Sequence, residues 1–143
     1  MRMRTLPVIF VFLLACSSAV YSQSLTEEFS FQIKDFKMDH QTQTNNLNIS
    51  ISYRYIANIQ KADYPDFRWL AKDVETLLSN YPNKDDYWEI VNKQITSLLL
   101  NKYPGITRVS CVIRVDPSSL IPYTRSNHVT RERTPKRSNR KRT

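Results

Sequence analysis

From Phe29 to Lys37 apolar and polar residues alternate, with a slip near the end of the run, and this period of two predicts a half-buried strand. Residues 39–46 are polar and read as a loop. Beyond them Leu47, Ile49, Ile51, Tyr53 and Tyr55 fall on one side of an extended chain and Asn48, Ser50, Ser52 and Arg54 on the other, so the two runs predict an antiparallel hairpin. The period then changes. Phe67, Leu70, Ala71, Val74, Leu77 and Leu78 recur at spacings of three and four behind Pro65-Asp66, which predicts a helix with one apolar stripe, ended by Tyr81-Pro82-Asn83. A second helix is predicted from near Lys84-Asp85-Asp86, where carboxylates suit the positive end of the helix dipole. It carries Trp88, Val91, Ile95, Leu98 and Leu99 inward until Tyr103-Pro104-Gly105 closes it. Alternation returns from Thr107 to Val115 and is broken at Asp116-Pro117. A weaker extended stretch follows at about 121–129.

Strand, strand, helix, helix, strand, strand is an α+β order: a ββααββ unit whose antiparallel sheet carries two helices on one face. The other face of the sheet is rich in serine and asparagine, a composition suited to meeting another surface. Its two open edges would be paired by closure into a ring, so a homo-oligomer is expected. Asn48-Ile49-Ser50 is a glycosylation sequon, placed inside a strand rather than on a loop.

Ahead of this domain, residues 1–22 combine Arg2 and Arg4, an apolar run from Leu6 to Ala15 and small or polar residues up to Ser22. That is the layout of a secretory signal peptide, cut after Ser22, and it implies a secreted or periplasmic protein. An alternative is lipidation at Cys16 of Leu13-Leu14-Ala15-Cys16, which resembles a bacterial lipoprotein box and would leave an anchored protein. Either way Cys111 remains as the thiol of the folded part, so no internal disulfide is expected. The domain, residues 25–130 of the 143, must then be held by its own core or by copies of itself. Apolar residues at 41% and charged residues at 24% are ordinary globular proportions, sufficient for one core.

The formal net charge of +8 is unevenly distributed. Residues 125–143 hold eight basic side chains against the single acid Glu132, and the leader holds two against none. Residues 23–124 are left with 11 basic and 12 acidic groups, so the domain is close to neutral. Residues 131–143 form a basic tail with little to bury, expected to be disordered and suited to an anionic surface. Aromatics do not interleave with its charges, so specific nucleic-acid binding is not expected. One glycine, Gly105, excludes the glycine-rich phosphate cradles, and two histidines with one apolar-strand cysteine make no metal-ligand spacing. Neither a metal nor another cofactor is expected.

The order of elements, with Asp66-Phe67 leading the first helix and Glu89 preceding Leu98-Leu99-Leu100 and Tyr103-Pro104 in the second, resembles the dihydroneopterin aldolase branch of the tunnelling fold. These are small pterin- and purine-handling domains that assemble into rings. The likeness covers roughly residues 29–130. It implies that Glu89 holds the amino group and ring N–H of a pterin- or purine-like heterocycle, as a carboxylate with two acceptor oxygens does well. Phe67 and Trp88 are the stacking neighbours so implied. Catalytic features of that family are replaced: Asp116 stands where it has a lysine before proline, Phe67 where it has a tyrosine, and residues 38–46 lack its glycine-led loop.

Three readings follow. The first is an exported ring-forming domain that binds a flat heterocycle, or serves as a scaffold, without aldolase turnover. The second is an active aldolase or epimerase using Asp116, Asp39 or His40 in replaced roles. The third is a non-catalytic adhesive module whose basic tail makes the contact.

Overall fold

A computed structural model describes residues 25–134. The leader with Cys16 and the tail from residue 135 onward lie outside the described residues. Four strands, β1 (Glu28–His40), β2 (Gln43–Tyr55), β3 (Ile106–Val115) and β4 (Arg125–Glu132), form one sheet in the order β1-β2-β3-β4, every pair antiparallel. Two helices, α1 (Phe67–Ser79) and α2 (Trp88–Lys102), lie between β2 and β3 in sequence and cover one face. The ββααββ order and the α+β class expected from the periodicities are therefore present. α1 packs over β1 and α2 over β3 and β4.

The alternation in β2 and β3 reflects a two-sided sheet. Leu47, Ile49, Ile51 and Tyr53 face Val115, Ile113, Cys111 and Val109 across the ladder, all on the helix side and all fully buried or nearly so. Leu70, Val74 and Leu78 of α1 and Val91, Ile95 and Leu99 of α2 close over them. Each such aliphatic side chain withdrawn from water contributes about 1.5–3 kcal/mol before ordering entropy is subtracted. The slip in β1 is a bulge: Lys34 and Asp35 together oppose Asn48, with Asp35 at φ 54° and its backbone N–H directed at Asn48 Oδ1. The bulge moves the inward set from Phe31 and Ile33 to Phe36, Met38 and His40.

The structure corrects four boundaries. Residues 39–46 are not a loop; β1 runs to His40, β2 starts at Gln43, and only Gln41 and Thr42 turn. Both have positive φ, 52° and 64°, as a two-residue hairpin turn of matching twist requires. The polar run concealed this because the turn is held partly from outside: Gln41 N–H donates to Lys84 O and Gln41 Nε2 to Asp86 O, while within the hairpin Asn45 Nδ2 donates to His40 O.

The second helix begins at Trp88 rather than near residue 84. Asp86 spends its carboxylate on Tyr81 Oη and Asn83 Nδ2, while Asn83 Oδ1 accepts from Asp85 N–H, which makes a turn out of 83–86. Burial and the Asp86 bond push the Tyr81 phenol up to about 12. The last strand is 125–132, not 121–129; Ile121 is used instead in a turn closed by Ser118.

Finally, the fold does not stop at residue 130. Arg131 and Glu132 pair with Val109 and Arg108, and Arg133 donates to the carbonyls of Leu100 and Tyr103 at the C-terminal end of α2 and of Ile106 at the start of β3. The first residues of the basic stretch thus belong to the domain, where a guanidinium at a helix C-terminus is electrostatically favoured.

Gly105 lies where the 56–66 connection crosses the chain; a Cβ there would sit 3.1 Å from Asp63 O and 3.3 Å from Ile59 Cδ1. Asn48 of the sequon lies in a central strand, its Nδ2 already donated to Asp116.

Candidate functional site

Because Tyr87 is extended (φ −67°, ψ 149°) and no side chain caps α2, the first turn of that helix opens directly onto the ends of β3 and β4. Between them is a cleft of about 320 Å³, lined by Gln41, Trp88, Glu89, Val115, Arg125 and Asn127 among others. That is near the lower end of the roughly 300–1,000 Å³ of small-molecule sites.

Each wall has its own cause. Trp88 is 7% exposed because its indole packs on His40, ring centroids 4.5 Å apart. His40 is fixed in turn by its Nε2, which donates to Asp86 O at 2.8 Å, and by an edge contact with Tyr81. β4 is secured to α2 by Asn92, fully buried on the helix stripe, whose Nδ2 donates to Asn127 Oδ1 at 2.5 Å and to Cys111 O at 3.0 Å.

The polar groups at the cleft are incompletely matched. Glu89 is exposed and lines the cleft. Arg125 Nε and Nη2 are buried atoms with no acceptor among the described residues, and Trp88 Nε1 is likewise without one. Glu89 and Arg125 line one cleft without forming an ion pair. A buried donor without an acceptor costs about 1–3 kcal/mol.

Of the residues expected at a site, Glu89 and Trp88 come together here. Phe67 does not. It is 42% exposed at the start of α1, stacked on Phe29 and Phe31 with centroids 5.5 and 6.0 Å away, where β1 begins. The cleft is at the other end of that strand, beside Gln41. Asp116 is on the opposite face of the sheet, its carboxylate accepting from Asn46 Nδ2 at 2.6 Å and Asn48 Nδ2 at 3.0 Å, with Arg114 3.6 Å away. Asp39 accepts from Thr44 Oγ1, and His40 is enclosed beneath Trp88, so the three replacement candidates do not converge on one reacting point. Two further grooves, about 440 and 330 Å³, lie on the outer sheet face among Gln32, Ser50 and Val112. Arg114 and Asp116 border the larger, at 3.6 Å from each other, and neither groove holds a buried donor without an acceptor.

Among the described residues no helix is long and apolar enough to cross a membrane, and no three His, Cys, Asp or Glu side chains group as metal ligands. Arg125 and Gln41 escaped the sequence reading because one was counted with the tail charges and the other lay in the supposed loop. Asn92 had a signal, a polar residue on the apolar stripe between Trp88 and Ile95. No family model matches the chain, and no curated protein matches it in sequence.

Proposed function

We propose that this chain is an exported subunit of the tunnelling-fold type that binds a pterin- or purine-like heterocycle in the cleft at the start of α2, without aldolase turnover. The observation that carries the reading is that Glu89 and the largely buried Trp88 line one cleft. A carboxylate there accepts two parallel N–H donors from an amino-substituted ring, and the indole supplies apolar contact. The ββααββ order, helices on one face and two sheet edges left unpaired among the described residues support ring assembly. In such a ring Phe67 belongs to a neighbouring copy's cleft. Asp116, committed to two asparagines across the sheet, offers no replacement for a lysine ammonium.

The test is titration of the mature protein with neopterin or guanine, followed by tryptophan fluorescence. Saturable quenching that is lost in Glu89→Ala is the expected result; no quenching with either ligand overturns heterocycle binding. Incubation with 7,8-dihydroneopterin is expected to release no glycolaldehyde, and release would replace the proposal by the active-enzyme reading. A monomer in sedimentation at micromolar concentration would remove the ring.

A further inference from the structure

We propose that one end of the sheet docks on an anionic lipid bilayer. Exposed apolar side chains at the ends of the β1 and β2 strands enter the interface, and the basic residues beyond Thr134 engage the lipid phosphates. The proposal is independent of the cleft at the start of α2.

Strand register defines this end. Glu28, Arg54, Arg108 and Glu132 are successive partners across the four strands and form one row at the margin of the sheet. Along that margin Tyr55 N–H donates to Glu27 O, Ile56 N–H to Gly105 O and Arg133 N–H to Thr107 O. The chain therefore enters β1 and leaves β4 at the same margin, where the connection from β2 to α1 also begins. Arg133 is fixed there by the carbonyls of Leu100, Tyr103 and Ile106, so the point from which residue 135 continues is set by the fold.

Two independent features coincide at this margin. The first is apolar surface. Leu25 is 80% exposed, Ile56 and Tyr64 are also exposed, and the Tyr64 ring stands 4.8 Å from that of Tyr55. Aliphatic side chains beside a tyrosine suit the boundary between acyl chains and headgroups. The second is charge. Residues 135–143 hold five basic side chains, Lys136, Arg137, Arg140, Lys141 and Arg142, and no acid. Lys136 and Arg137 follow so closely on Thr134 that even a fully extended chain keeps them within about 10 Å of it. The margin's own groups balance, Arg54, Lys61 and Arg108 against Glu28, Asp63 and Glu132, so the tail sets the sign.

Charge alone would suit any polyanion. Apolar side chains beside it select a lipid surface, because a polysaccharide or nucleic-acid backbone gives Leu25 and Ile56 no acyl chains to enter. The opposite end supplies the contrast: Leu120 and Tyr123 are exposed there, next to the Ser118 turn bonded to Gln43, without a run of cations in the adjoining sequence.

The test is co-sedimentation of the mature protein with vesicles of phosphatidylcholine alone and of phosphatidylcholine mixed with phosphatidylglycerol. Wild type is expected to bind the mixed vesicles, to be released by high salt and to leave the neutral vesicles unbound. A chain ended after Thr134 keeps Arg133 and loses the tail cations; at about fivefold per cation it should bind on the order of a thousandfold more weakly. The double substitution Leu25→Ser, Ile56→Ser is expected to weaken binding about tenfold, and Leu120→Ser to leave it unchanged. Failure to bind the mixed vesicles overturns the proposal, even where the protein is retained by heparin beads. Equal binding to neutral vesicles overturns it, as does wild-type binding by the double variant. The comparison of vesicles by wild type stands even if a variant fails to fold, and no outcome depends on whether the cleft holds a heterocycle.

Discussion

Asn92 is the residue whose replacement best tests how the cleft is built. Its side chain is fully buried on α2 and donates to Cys111 O in β3 and to Asn127 Oδ1 in β4. Asn92→Ala deletes both bonds, at about 1 kcal/mol each, and opens a small cavity worth about another 1 kcal/mol. The expected loss is about 3 kcal/mol, a large share of the roughly 5–15 kcal/mol that holds a domain together. For a fold of this size that lowers Tm by about 12 °C or somewhat more. Urea unfolding of the mature protein, followed by tryptophan fluorescence and circular dichroism, measures it, with the slope against urea unchanged. Asn127→Ala removes the partner at a strand edge and should lose about 1 kcal/mol. The double variant should then lose about 1 kcal/mol less than the two single losses together, because their shared bond is counted once. A loss below about 1 kcal/mol in Asn92→Ala, or strict additivity in the cycle, refutes the claim that this amide ties β4 to α2.

Other expectations are more local. Cys111 is fully buried, and burial pushes its thiol up to about 12, so a thiol reagent at pH 8 should leave the native protein unlabelled and react only on unfolding. The denatured count then reports the leader: one thiol per chain if Cys16 has been removed, two if it is retained free. Burial raises the Asp73 carboxyl, but the bonds from Lys102 Nζ at 2.7 Å and Tyr103 Oη at 2.6 Å outweigh it and hold the group below its usual range. Its contribution is therefore present above about pH 4 and lost as pH falls through the lowered value. Asp73→Asn should lose about 0.5–1 kcal/mol near neutrality and converge with wild type in acid, which denaturation at pH 7 and at about pH 2 compares. Thr42 holds φ 64° with a β-branched side chain, so Thr42→Gly should raise stability by about 0.5–1 kcal/mol; a lower melting temperature would count against the turn geometry.

Much of this architecture is written locally. The two-residue period of Leu47 to Tyr55 and Val109 to Val115 and the three-and-four spacing of α1 need only side-chain direction and the withdrawal of apolar surface from water, so class and element order follow from sequence. The polar segments are different. Asp39 to Asn46 carries no apolar marker and no glycine, and it becomes paired strand and a tight turn only because the 83–87 segment supplies the acceptors that hold it. β4 half-buries Arg125, Asn127 and Val129, two polar residues to one apolar, so this edge strand is defined by its partner β3 more than by its own hydrophobicity. The site divides in the same way. Glu89 and Trp88 are neighbours in sequence and could be placed together on one helical turn. Arg125 stands 36 positions further on, and Gln41 lies before both helices. Only the closing of the sheet over α2 brings these four side chains to one cleft and separates Phe67 from it. Periodicity is a property of consecutive residues, whereas convergence at a point depends on how far the chain travels between them, and that distance is settled by packing.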